Sequence, residues 1–161
     1  MEELILSYIG LFFSILFSAC EIALISANPL QIGVWIKQGS TLSEIGQRII
    51  NQKEAFLFLI LIGTTISNIL TTSFATIYFL EQGINEISII LFISVIILIF
   101  GEVLPKTFIR NHANIGLVYL SPFLIIFYYC MIILIMKLIF FLKEYMHRIF
   151  YFFSKGLRSI I

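Results

Sequence analysis

Four long apolar stretches dominate this sequence, each close to the roughly 20 residues that cross the hydrocarbon of a bilayer as a helix. They run from Leu4 to Ile25, Ala55 to Leu80, Ile87 to Leu104 and Ala113 to Met136. Lipid offers no hydrogen bonds to a backbone, so a single-chain stretch of this kind satisfies its own N–H and C=O groups by forming a helix. Composition agrees with that demand. Hydrophobic residues make up 60% of the chain and charged ones only 12%, where soluble domains carry about 25%. The expectation is one all-α membrane domain.

The charge balance removes other classes. Ten Lys and Arg face nine Asp and Glu for a net charge of +1, which leaves no basic reserve for nucleic acid. Cys20 and Cys130 lie in separate apolar runs without a CxxC pattern, and His112 and His147 stand apart from them. Zinc and redox chemistry are not expected from that spacing, and the cysteines read as small buried hydrophobes. The start, Met1-Glu2-Glu3, is acidic where a cleaved signal would be basic.

Between the first two stretches, residues Asn28 to Glu54 contain Pro29, Gly33, Gly39-Ser40 and the charges Lys37, Glu44, Arg48 and Lys53. Apolar residues recur there at helical spacing, which predicts two short amphipathic helices at the membrane surface, broken near Gly39. Short cytoplasmic loops collect Lys and Arg. That rule puts this connection inside, the N-terminus and the acidic Glu81 to Glu86 turn outside, and Lys106, Arg110 and His112 inside again.

The fourth stretch conflicts with the rule, because a full crossing would carry Lys137, Lys143, Arg148, Lys155 and Arg158 outside. Ser121-Pro122 interrupts it, and proline breaks or kinks a helix. The expectation is therefore three spanning helices and a re-entrant or broken fourth segment. A juxtamembrane helix then follows from Lys137, with aromatic residues such as Phe140, Tyr145 and Phe150 facing lipid and the C-terminus in the cytoplasm.

Polar groups inside a span are costly and normally face a bundle interior or a cavity. Ser7, Ser14, Ser18 and Glu21 share one face of the first helix. Glu21 either belongs to a site, or snorkels to the interface or caps a neighbouring helix. The second helix carries Thr64, Thr65, Ser67, Asn68, Thr71, Thr72, Ser73 and Thr76, most of which suit close helix packing. Asn68 suits it less, since its amide needs partners for an oxygen and two N–H donors. The third helix ends in Gly101-Glu102-Val103-Leu104-Pro105-Lys106. Pro105 has no N–H for the carbonyl of Gly101, and Glu102 either pairs with Lys106 or holds a cation.

Together the three helices offer hydroxyls from Ser18 and Thr64, an amide oxygen from Asn68, a carbonyl from Gly101 and a carboxylate from Glu102. All are hard oxygen donors, which favours Mg²⁺, Ca²⁺ or Na⁺ over zinc, copper or iron. A membrane anchor or assembly module, whose polar faces serve packing alone, is the competing reading.

Three segments carry a resemblance: Phe17-Ser18-Ala19-Cys20-Glu21-Ile22-Ala23-Leu24, Ile62-Gly63-Thr64-Thr65-Ile66-Ser67-Asn68, and Gly101-Glu102-Val103-Leu104-Pro105-Lys106. In this order and at these separations the chain resembles the transmembrane domain of the CNNM/CorC family of magnesium transport proteins, over nearly its whole length. The last segment is the most specific.

The resemblance implies an inner-membrane homodimer in which each subunit contributes three spanning helices. It also implies one dehydrated Mg²⁺ per subunit in a cavity open to the cytoplasm, and export driven by Na⁺ through alternating access. Carried over by position, Ser18, Asn68, Gly101 and Glu102 would bind or line the ion site, with Glu21 a nearby acid tied to Na⁺ or proton coupling. The family usually has Asn where this chain has Thr64, so a hydroxyl stands in for an amide. Family members also continue into cytoplasmic CBS domains, so residues 1–161 are expected to be the membrane domain of a longer protein.

Overall fold

The computed structural model describes the backbone of residues 1–158 and the side chains of residues 1–137, 141 and 143. Among the described residues the chain is wholly helical: α1 (Glu2–Ser26), α2 (Pro29–Lys37), α3 (Thr41–Asn51), α4 (Lys53–Glu81), α5 (Glu86–Arg110) and α6 (Ala113–Arg158). Four of them, α1, α4, α5 and the part of α6 from Ala113 to Lys137, are long and apolar enough to cross a membrane. Residues 1–124 pack as one unit, and a second begins at Ile125 and is helical to Arg158.

Local chemistry explains the boundaries. Asn28 caps α2 by accepting from the Leu30 N–H, with Pro29 in the first turn, where its missing N–H costs nothing. The helix stops at Gly39, whose φ of +88° few other residues adopt. There the Gly39 and Ser40 N–H groups return to the carbonyls of Ile36 and Trp35, the paired bonds of a Schellman ending. Gly83, at φ +78°, closes α4 the same way, with Gly83 and Ile84 N–H bonded to Leu80 and Phe79. Ser40 caps α3 and Asn85 caps α5. The expected pair of short helices broken near Gly39 is thus present.

α1 is the centre of the packed unit. It runs antiparallel to α4 and parallel to α5, as the cross-contacts require: Ser7 and Gly10 meet Thr71, Ser14 meets Asn68, and Phe17 meets Gly63. On the other side Ser14 meets Gly101 and Glu21 meets Lys106. Small residues set the spacing. A Cβ on Gly10 would stand 2.6 Å from Thr71 Oγ1, and one on Gly63 would stand 2.5 Å from the Phe17 ring. Lipid tails are as apolar as leucine, so close backbone approach of this kind, more than hydrophobic burial, is what joins membrane helices. Further along, Ala75, Ile89, Ile93 and Ile97 form the α4–α5 core with Leu11 and Phe79.

The fourth segment departs from expectation. It is neither broken nor re-entrant: α6 is helical from Ala113 to Arg158 with Pro122 inside it, and no separate juxtamembrane helix follows among the described residues. The reason lies one residue before the proline. In an α-helix Pro122 leaves the Val118 carbonyl without its N–H, and the buried Ser121 hydroxyl donates to that carbonyl at 2.8 Å. Serine side chains commonly repair proline breaks in spanning helices in this way. The start of α6 is anchored as well. Asn114 accepts from the Asn28 N–H and donates to Gln31 Oε1, each at 2.6 Å, and Phe123 packs on Phe13 and Phe17. The lipid-facing reading of Phe140, Tyr145 and Phe150 falls on side chains outside the described residues.

Candidate functional site

The polar groups of α1, α4 and α5 converge at one level of the bundle. Ser14 Oγ, fully buried, donates to Asn68 Oδ1 at 2.6 Å, and Asn68 Nδ2 points to Glu102 Oε1 at 3.5 Å. The amide orientation follows from chemistry: a carboxylate only accepts, so the atom facing Glu102 has to be the donor. Gly101 completes the contact, because a Cβ there would lie 2.9 Å from Ser14 Oγ. Residues 14, 68, 101 and 102 are thereby brought together from three helices.

Glu102 is poorly satisfied in this arrangement. Hydrogen bonds to a carboxylate usually span 2.7–2.9 Å, and its one side-chain partner among the described residues stands at 3.5 Å. The expected alternative, an ion pair with Lys106, does not form. Lys106 Nζ instead lies 2.9 Å from Glu21 Oε2, with the two side chains 34% and 35% exposed. Glu21 is therefore engaged across the α1–α5 contact, and Glu102 has no ion-pair partner among the described residues.

Ser18 stands on the same face of α1, between the level of Ser14 and that of Glu21. Its hydroxyl is fully buried and makes no hydrogen bond among the described residues. An orphaned buried hydroxyl costs about 1–3 kcal/mol. Thr64 is half-buried and donates to the Ile60 carbonyl of its own helix at 2.9 Å. That bond spends its proton and leaves its lone pairs for accepting, yet no contact joins Thr64 to Glu102.

Two features were not foreseen. Ser14, though on the expected serine face, was not among the candidate ligands; its place one turn before Ser18 was the available signal. The second is a π-helical stretch from Ile97 to Val103, in which the Leu104 N–H reaches back five residues to Ile99. Such widened turns recur at functional sites. Here the stretch carries Gly101 and Glu102 and ends two residues before Pro105, which has no N–H to give in either register. No periodicity in the sequence announces it.

The donor set is all oxygen with a single carboxylate. Among the described residues no cluster of three or more His, Cys, Asp or Glu exists, so any cation here depends on neutral oxygens beside Glu102. A separate cleft of about 480 Å³ lies between the α2–α3 turn and the start of α6, lined by residues such as Trp35, Ser40 and Tyr119. Its lining includes no carboxylate.

Comparison with curated proteins gives no match. The model of the Cyclin M transmembrane N-terminal domain, a transporter domain of a family associated with Mg²⁺ transport, matches residues 5–156. On that match, which spans nearly the entire sequence, the chain belongs to the CNNM family.

Proposed function

We propose that this domain moves Mg²⁺ through the α1–α4–α5 level, with Glu102 as the charge-bearing ligand and Ser18, Thr64, Asn68 and the Gly101 carbonyl as neutral ones. One observation carries the reading. Among the described residues Glu102, inside a stretch apolar enough to span the membrane, faces one long amide contact and no fixed cation. A carboxylate so placed is expensive unless an ion or proton visits it. The orphaned Ser18 hydroxyl points the same way.

Mg²⁺ demands near-octahedral oxygens at about 2.0–2.1 Å and sheds water reluctantly. A pocket shared by three helices meets that demand only in some arrangements, which suits alternating access. On this reading Lys37, Arg48, Lys53, Lys106 and Arg110 mark the cytoplasmic end, the N-terminus lies outside, and the ion enters from the cytoplasm. Export coupled to Na⁺ by a homodimer in the inner membrane is its fullest form.

The test is Mg²⁺ flux in proteoliposomes with and without an opposing Na⁺ gradient. Flux that rises with the gradient and is lost in Glu102→Gln supports the proposal. Flux equal to empty vesicles refutes transport, and flux indifferent to Na⁺ removes the coupling. The packing reading also has a foothold, since the hydroxyls of Thr64, Thr65, Ser67, Thr71 and Thr72 all bond to their own helix. It expects Asn68→Ala to loosen assembly while leaving flux unchanged.

A further inference from the structure

We infer that Glu21 is a positioning residue for cation capture: by holding the Lys106 ammonium, it keeps a fixed positive charge off Glu102. The inference rests on the reading of Glu102 as the ion's carboxylate and adds a role outside the ligand set.

Glu102 and Lys106 are four residues apart on α5, and residues so spaced are neighbours on a helix surface. Glu preceding Lys is also the better order for such a pair. Lysine carries its charge on a flexible four-carbon stem that readily changes partner. Left to local chemistry, Lys106 would therefore neutralise Glu102. It does not, because Glu21 Oε2 of α1 holds Nζ at 2.9 Å, and the one side-chain contact to Glu102 among the described residues is the neutral Asn68 amide. A cation arriving at Glu102 then has to displace a long amide bond rather than a full ammonium.

The direction of the effect follows. Releasing Lys106 makes it a competitor for Glu102. A unit charge about 6 Å from a divalent ion in a water-like dielectric weakens binding by about tenfold. Loss of the Glu21 charge alone would also weaken Mg²⁺ binding, so affinity has to be read beside the partner Lys106 takes.

The experiment uses the full chain in detergent micelles at constant salt, with Mg²⁺ as the probe, comparing wild type, Glu21→Gln, Lys106→Gln and the double variant. The four proteins are then treated with a water-soluble carbodiimide, which joins a contacting lysine and carboxylate as an amide with loss of one water, and the linked pair is found by mass spectrometry. We expect Glu21→Gln to weaken Mg²⁺ about tenfold, the double variant to return to wild type, and Lys106→Gln not to weaken it. We also expect the link to pass from Glu21–Lys106 in wild type to Glu102–Lys106 in Glu21→Gln, and Mg²⁺ to suppress the new link. Unchanged affinity in Glu21→Gln, or weakening without a Glu102–Lys106 link, overturns the inference. Glu102→Gln run in parallel separates the two levels: binding that survives it refutes the ion site itself, and binding lost with it while Glu21→Gln has no effect refutes only the role of Glu21.

Discussion

Asn68 is held between two helices by its two ends: its oxygen accepts from Ser14 of α1 at 2.6 Å, and its nitrogen faces Glu102 of α5 at 3.5 Å. The short bond fixes the amide and the long one leaves the carboxylate hungry. Asn68→Ala therefore removes a partner from a buried hydroxyl as well as the oxygen we propose as a ligand. We expect a loss of about 1–3 kcal/mol in stability, seen in thermal unfolding, together with loss of Mg²⁺ flux. Unfolding that shifts while flux persists would favour the packing reading.

Ser121 and Pro122 make a second, independent test, because the hydroxyl supplies the bond that the proline withholds from Val118. Ser121→Ala should cost about 1–3 kcal/mol, the price of an unsatisfied buried carbonyl. In a Pro122→Ala background, where the backbone N–H is restored, the same substitution should cost little. A double-mutant cycle by unfolding measures the difference, and equal costs in both backgrounds would show that the hydroxyl does not repair the helix.

The α1–α4 contact predicts opposite outcomes for two glycines. Gly63→Ala places a methyl 2.5 Å from the Phe17 ring, and overpacking of this kind costs about 1–3 kcal/mol. Gly33, inside α2, has nothing within 4 Å of its Cβ position, so Gly33→Ala should stabilise by roughly 0.5–1 kcal/mol through helix propensity. Melting temperatures of the two variants, moving in opposite directions, check the pairing.

Much of this arrangement could be read from residue patterns. The first two apolar stretches become helices within two residues of their expected ends, because a span has no other way to satisfy its backbone, while the third and fourth run on to Arg110 and Arg158. Gly39 and Gly83 end helices as turn chemistry requires. Asn68 and Glu102, chosen because polarity is costly at their positions, do meet, and Gly101, chosen for the carbonyl that Pro105 frees, lies against Ser14. The failures share a cause: a pairing choice between side chains that spacing alone leaves open. Ser121 rescues a helix that Pro122 was expected to break, and Lys106 crosses to Glu21 although Glu102 is closer in sequence. The π-helical stretch before Pro105 is a backbone register, which residue type does not encode.

The most direct test is whether Glu102 is where the cation binds. A ligand that binds only the folded protein stabilises it by about 2.7 kcal/mol at a hundred times its dissociation constant, so the unfolding temperature in detergent should climb with Mg²⁺ for the wild-type chain. With Glu102→Gln, which keeps size and removes charge, the curve should stay flat at every Mg²⁺ concentration. An equal climb in both proteins would contradict the assignment of the ion to this level of the bundle.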